Sequence, residues 1–260
     1  MFQIAACVGH AKRHGFQYGF PTYDLRRGGP WESGIWNCFP NLPKFENRLT
    51  NYHEHPNEHC NLHGLHKDIC HYDYHPIPAQ DNLCLNGFFQ SYKYFENSQE
   101  EVKALFPLAN VPGYEDYVSI HWRLGDYVQH SASFPPITLD YVDHALSKIH
   151  HETGLSKVMV FSDGMPFVKE EVKKSIWKNM QWEFSEGRGE KEDLSLGVSC
   201  GHHIIANSTY SWWMGYLGHN PNRVIVSPSG DRGCWYGMSS GIKKDCVDLL
   251  PDSWIKIKFR

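Results

Sequence analysis

No apolar run in this chain approaches the ~20 residues that a membrane-spanning helix needs, and none is read as such a span. Met1 to Gly15 also lacks the ordered basic, apolar and small-residue regions of a secretory signal. These two absences give the expectation of a cytoplasmic chain, with a Golgi or membrane-associated setting if the true start lies upstream. Long basic runs are missing as well: the formal net charge is -4, with 21% charged residues of both signs. That balance argues against a nucleic-acid partner, whose affinity would rest on neutralised phosphates, and against a polybasic membrane anchor. The eight cysteines show no zinc-type pairing, since spacings such as Cys60 to Cys70 fit no standard ligand pattern. They are too sparse for a disulfide scaffold, and most are read as free thiols of a reducing compartment. No internal repeat or low-complexity linker is evident.

What is present is enough for one large domain or two modest ones: 260 residues, 41% hydrophobic. Residues 21 to 86 are loop-rich, with many Pro, Asn and His, whereas a regular pattern begins near Asp116. The expected division is therefore 1–114 and 115–260. Phe2 to His14 reads as a helix, with Phe2, Ala5, Ala6 and Gly9 on one face. Lys12, Arg13 and His14 suit its last turn, and Gly15 its stop. Phe16 to Phe20 is expected as a following strand. In the regular part, strands are expected at Asp116–His121, Lys157–Phe161, Met180–Phe184, His203–Ala206 and, last, Arg223–Val226. Helices are expected between them at Thr138–Ile149, Pro166–Lys178, Asp193–Cys200 and Ser208–Leu217.

Strands alternating with helices imply a parallel sheet covered on both faces. Such sheets bind ligands outside the carboxyl ends of their strands. The residues that follow those ends are polar and turn-forming: His121 to Asp126, Ser162-Asp163-Gly164, Asn207-Ser208-Thr209 and Ser227-Pro228. Arg123 offers a planar fork of donors that matches phosphate oxygens, and His121 can donate a second bond. The plainer reading is a turn in which Arg123 pairs with Asp126. Asn207, Ser208 and Thr209 stand before a helix, where backbone N–H groups and two hydroxyls form an anion site or a simple cap. Asp163 and Asp193 precede helices and suit either ribose or base contacts or capping. Trp212 and Trp213 read as core.

Seven of the 17 histidines fall between His53 and His75, with Cys60 and Cys70 among them. His59, His63 and His66 could share a helix face and hold zinc. Pro56, Gly64 and Pro76 interrupt such a helix and no ligand pair recurs, so the segment is read as polar surface and no metal site is assigned.

Five stretches, in order, carry a resemblance. Ser119-Ile120-His121-Trp122-Arg123-Leu124-Gly125-Asp126-Tyr127 resembles a His-x-Arg-Arg-Gly-Asp-Tyr motif, with Leu124 at the second Arg. Phe161-Ser162-Asp163-Gly164 resembles Phe-Ser-Asp-Asp, with Gly164 at the second Asp. His203-Ile204-Ile205-Ala206-Asn207-Ser208-Thr209-Tyr210-Ser211-Trp212-Trp213 is nearly Ile-Ile-Ala-Asn-Ser-Thr-Phe-Ser-Trp-Trp. Leu85 to Phe95 resembles a Gly-Tyr-Phe-Gln-Ser segment, and Leu250-Pro251-Asp252-Ser253-Trp254 also fits. The chain thereby resembles the α-1,2-fucosyltransferases of glycosyltransferase family 11, bacterial type in particular.

The resemblance implies an α/β, GT-B-like fold of two Rossmann-type halves, the N-terminal one holding a galactoside-type acceptor and the C-terminal one GDP-fucose. It implies inverting, metal-independent transfer of L-fucose. His121 and Arg123 would hold the diphosphate, Thr209 would add a phosphate contact, and Asp193 would read the guanine edge. Asp126 is the candidate base. Family members carry a Gly-Gly-Leu-Gly-Asn-Gln loop just before the Met-Phe-Gln that here is Met1-Phe2-Gln3, so the first strand of the N-terminal half is expected to be missing. The alternatives are a catalytically impaired nucleotide-sugar binder lacking that loop, a metal-binding or interaction module built on the histidine segment, and a transferase for another nucleotide sugar.

Overall fold

A computed structural model describes residues 1–20, 41–44, 50–53, 74–229, 235 and 248–258. The chain forms two compact units, Met1–Pro107 with Val247–Leu249, and Leu108–Cys246 with Leu250–Arg260. Among the described residues no helix is long and apolar enough to cross a membrane. Cys7, Cys84 and Cys200 are free thiols.

In the first unit, helix α1 spans Phe2–His14, as its apolar spacing predicts. Gly15 stops it by adopting φ 70°, a left-handed conformation that suits glycine. Phe2, Ile4, Ala5, Ala6 and Val8 are buried, and the Phe2 ring lies 6.1 Å from that of Phe95. Strands β1 (Thr50–His53) and β2 (Leu83–Asn86) pair in parallel, and a short helix α2 follows at Gln99–Ala104. The strand expected at Phe16–Phe20 does not form. Only Phe20 makes a bridge, to Lys44, and one paired residue is no ladder. Asp248 staples the unit: its carboxylate takes the Tyr74 N–H at 2.8 Å and Lys93 Nζ at 2.5 Å.

The second unit is a six-stranded parallel sheet. Its strands are β3 (Tyr117–Trp122), β4 (Lys157–Ser162), β5 (Gln181–Phe184), β6 (His202–Ile204), β7 (Ile225–Ser229) and β8 (Ile255–Lys258). The order across the sheet is β5-β4-β3-β6-β7-β8, with every pair parallel. The chain begins in the middle, winds outward through β4 and β5, and returns to the other side of β3 as β6. This is the doubly wound order of dinucleotide-binding folds, whose direction reverses between the first and fourth strands, here β3 and β6. All six residues of β3 are buried, as a central parallel strand covered on both faces requires.

Helices α3 (Gly125–Gln129), α4 (Leu139–Thr153), α5 (Met165–Val172), α6 (Glu190–Ser199) and α7 (Thr209–Tyr216) fill the connections. Tyr141, Val142, Ala145, Leu146 and Ile149 of α4 pack with Val118, Ile120, Val158 and Val160 of the sheet in one apolar core. Trp212 and Trp213 are fully buried, as expected of core residues, with Trp212 stacked 4.8 Å from Tyr216 and 5.3 Å from Trp254.

Two expectations are corrected. Helix α5 ends at Val172 rather than Lys178, because the buried Asp143 carboxylate captures the Ser175 hydroxyl at 2.5 Å and the Ile176 N–H at 3.2 Å. The strand at 225–229 is not the last, since β8 pairs beyond it at the sheet edge.

Gly9 tests the packing of the first unit. A Cβ there would lie 2.2 Å from the Tyr94 carbonyl oxygen and 2.9 Å from Phe95 Cα, both backbone atoms. Gly9→Ala should destabilise this unit by about 1–3 kcal/mol, the usual cost of overpacking, read as a lowered midpoint in urea unfolding.

Candidate active site

The register of the sheet assembles the site. Trp122 pairs with Ser162, and Ile120 with Ile204, so the turns after β3, β4 and β6 emerge side by side at the carboxyl edge. Arg123 leaves the end of β3 and is gripped twice. Its Nη2 lies 2.6 Å from Asp126 Oδ1 and its Nη1 2.6 Å from Asp163 Oδ2. The first pair is the local one anticipated in the turn, and the second crosses between strand ends. Asp163 Oδ1 also accepts the Leu124 N–H at 2.7 Å. Both oxygens of Asp163 thus hold the arginine segment, so the residue first expected at a ribose or base braces Arg123.

The two turns interlock reciprocally. A Cβ on Gly125, where φ is +29°, would stand 2.4 Å from Asp163 Oδ2, and one on Gly164 would stand 2.5 Å from Leu124 Cδ1. Each turn presents one filled position to the other's glycine. Leu124 is buried, so the place of a second arginine is taken by an apolar plug seated over Gly164.

His121 points away from solvent, 8% exposed, with Nδ1 hydrogen-bonded to Ser211 Oγ and its ring 5.1 Å from that of Tyr210. Burial pushes its pKa down to about 4; the Asp163 charge opposes the shift and the Arg123 charge reinforces it. His121 is therefore neutral at pH 7, a hydrogen-bonding imidazole rather than a second cation.

Across the switch point, Ser208 is the N-cap of α7, with extended backbone and no side-chain capping bond. Its hydroxyl does not serve the simple capping role, and Thr209 opens the helix, where N–H groups of the first turn have no intrahelical acceptor. Asn207 is buried. Its side-chain amide N–H groups donate to the carbonyls of Pro135 (3.0 Å) and Trp235 (2.9 Å), while its main-chain carbonyl accepts from Tyr127 Oη at 2.9 Å. Asn207 thus joins three segments rather than offering its N–H groups to a ligand.

Asp193 stands apart, near the start of α6 and the end of β5. It accepts from the Ser185 hydroxyl at 2.5 Å, and Arg188 Nη1 donates to that same hydroxyl at 3.1 Å. Burial raises its pKa, against the pull of Ser185 and Arg188. The Tyr210 hydroxyl donates to the Glu190 carbonyl at 2.7 Å and so ties the start of α7 to the start of α6. Among the described residues no group of three His, Cys, Asp or Glu is disposed to hold a metal ion. The segment from His55 to His71 lies outside the described residues.

Sequence reasoning did not single out Tyr127, Ser211, Ser185 or Tyr210. Tyr127 carried a signal, since it closes the Gly-Asp-Tyr turn beside Arg123. Tyr210 and Ser211 lie inside the matched stretch His203–Trp213, but their partners, like those of Ser185, emerge only across elements.

Fold and site together define a doubly wound α/β protein with an arginine and a helix start facing its switch point. Residues 42–231 match the profile of glycosyl transferase family 11, and the chain belongs to that family. It is 26% identical to the O-antigen biosynthesis glycosyltransferase WbnK of Escherichia coli over 70% of this chain and 63% of that protein. It is 24% identical to an alpha-1,2-colitosyltransferase of Escherichia coli over 66% of this chain and 61% of that one. The aligned part of the chain thus spans less than two thirds of the length of either curated relative.

The buried histidines predict a pH dependence of stability. His121 titrates near 4 and buried His203 near 3 in the folded chain, both below their ordinary 6.5. Between those limits the unfolded chain binds protons that the folded chain does not, so stability is complete above 6.5 and falls as pH drops toward 4. Each histidine contributes a slope of up to ~1.4 kcal/mol per pH unit. The thermal midpoint should fall between pH 7 and pH 5, and His121→Gln should reduce that fall by one proton's worth.

Proposed function

We propose that this chain catalyses inverting transfer of L-fucose from GDP-fucose to a hydroxyl of a galactoside-type glycan, within a GT-B-like arrangement of two Rossmann-type halves. The observation that carries the reading is that Arg123 and the start of α7 emerge on neighbouring strand ends, at the reversal between β3 and β6. That is where a doubly wound sheet takes a nucleotide diphosphate.

As the bond to the sugar breaks, negative charge grows on the diphosphate. Arg123, the N–H groups at Ser208-Thr209 and the neutral His121 ring would stabilise it without a metal. Preorganised donors of this kind are often the largest catalytic contribution, at about 3 kcal/mol per donor removed. Arg123 would exchange one carboxylate for phosphate oxygens, a bidentate match that lysine cannot reproduce. Asp193 would accept from the guanine edge. Asp126, with its side chain 62% exposed, would take the proton of the acceptor hydroxyl.

Calorimetry with GDP, UDP and GDP-fucose, followed by transfer to a panel of galactosides, tests the proposal. Binding of GDP over UDP is the expected result, and no affinity for GDP rejects it. Arg123→Ala should lower turnover about a hundredfold or more. A near wild-type rate would remove Arg123 from the diphosphate.

Asp126 is tested separately. As the base, Asp126→Asn should lower kcat without weakening GDP binding. Should it serve only to hold Arg123, GDP affinity would fall with it.

A second donor is suggested by the relative named as a colitosyltransferase. Colitose is fucose without its 3-hydroxyl, so comparing kcat/KM for the two GDP-sugars decides between them. A site that hydrogen-bonds that hydroxyl rejects the deoxy sugar strongly, because its polar partners are left unpaired.

A further inference from the structure

We infer that Tyr127 is a positioning residue, the fixed support on which Arg123 rests while its carboxylate partners are exchanged for the ligand. The inference rests on the proposed diphosphate site and deepens it.

The guanidinium is flanked by Asp126 and Asp163, each at 2.6 Å. One cation between two carboxylates has its charge more than matched. An anionic ligand that takes the bidentate edge of the guanidinium displaces at least one of them, and a flexible arginine released from a carboxylate would lose its aim. A third contact does not compete with the ligand. Arg123 Cζ lies 5.5 Å from the centroid of the Tyr127 ring, within the range of a cation–π interaction. The ring face attracts the guanidinium whichever anion occupies its edge, because face and edge are different surfaces of the same group.

The support is itself held on two sides. The Tyr127 ring stacks on Phe134 with centroids 5.4 Å apart and planes at 29°. The Tyr127 hydroxyl donates to the Asn207 carbonyl at 2.9 Å, and Asn207 in turn donates to Pro135, next to Phe134. The segments 127, 134–135 and 207 thereby close a ring of contacts. Asn207 directly precedes the Ser208 cap of α7. Tyr127 thus links the arginine on one side of the switch point to the helix start on the other. Its hydroxyl stays protonated through the working pH range, since burial pushes its pKa up to about 12.

The test separates ring from hydroxyl by calorimetry with GDP on the full chain. Tyr127→Phe keeps the ring and should bind GDP within about threefold of wild type. Tyr127→Leu removes it and should bind roughly three- to thirtyfold more weakly, the range set by cation–π contacts. In a cycle with Arg123→Ala, the double variant should bind no more weakly than Arg123→Ala alone, since Tyr127 acts through that arginine. Additive losses, or a Tyr127→Leu variant that binds like wild type, overturn the inference. Should Tyr127→Leu fail to fold, increasingly fluorinated phenylalanines at 127 keep the shape and weaken the ring face. A stepwise loss of GDP affinity supports the inference and a flat series overturns it. Wild-type protein that does not bind GDP would instead sink the diphosphate reading itself.

Discussion

Everything in the candidate site depends on how one guanidinium is held at the end of a central strand. Arg123 faces Asp163 only because β3 and β4 pair in parallel with Trp122 opposite Ser162. A slip of one residue would turn every side chain of β3 to the other face and break the ion pair, the Leu124–Asp163 hydrogen bond and both glycine contacts together. The register is secured from below by apolar packing of Val118, Ile120, Val158 and Val160. Packing sets the pairing, the pairing sets the turns, and the turns aim the arginine.

The same arrangement sets the charge around the turn after β3. Asp126 and Asp163 together outweigh Arg123, and His121 adds no charge because it is buried and neutral. The two carboxylates hold the guanidinium from both sides. A donor already fixed in place need not be ordered when it engages a partner. Relative to the motifs the chain resembles, Leu124 removes a cation and Gly164 removes a carboxylate. These two changes lie against each other in space, with Leu124 seated where a side chain on residue 164 would go. The local balance of charge is preserved while the contact becomes apolar.

Most of the second unit was legible in the sequence for a physical reason. Parallel strands buried on both faces read as short apolar runs, and β3, β4, β6 and β7 stand within a few residues of the runs that predict them. Strand β8 was missed although Ile255-Lys256-Ile257-Lys258 alternates in burial as an edge strand does, because its four residues follow a turn and no helix announces them. Helix α5 was drawn too long because the buried Asp143 that captures Ser175 is distant in sequence. The candidate site divides along the same line. The Arg123–Asp126 pair spans three positions and could be read directly, whereas Arg123–Asp163 and Tyr127–Asn207 depend on register that no local pattern encodes.

Asn207 shows what a motif match leaves unsaid. The residue was expected at a ligand, and it does stand beside the helix start. Yet its side-chain N–H groups go to Pro135 and Trp235, and its main-chain carbonyl accepts from Tyr127. Such a residue fixes where the neighbouring backbone N–H groups stand. Asparagine suits this point where aspartate would not, because its side-chain amide donates twice to backbone carbonyls, which a carboxylate cannot do. With Asn207 locked, the peptide that leads into Ser208 and Thr209 is fixed relative to Tyr127, and through the Tyr127 ring to Arg123. Arg123 and the start of α7, on the two sides of the switch point, are thereby braced against each other through Tyr127 and Asn207.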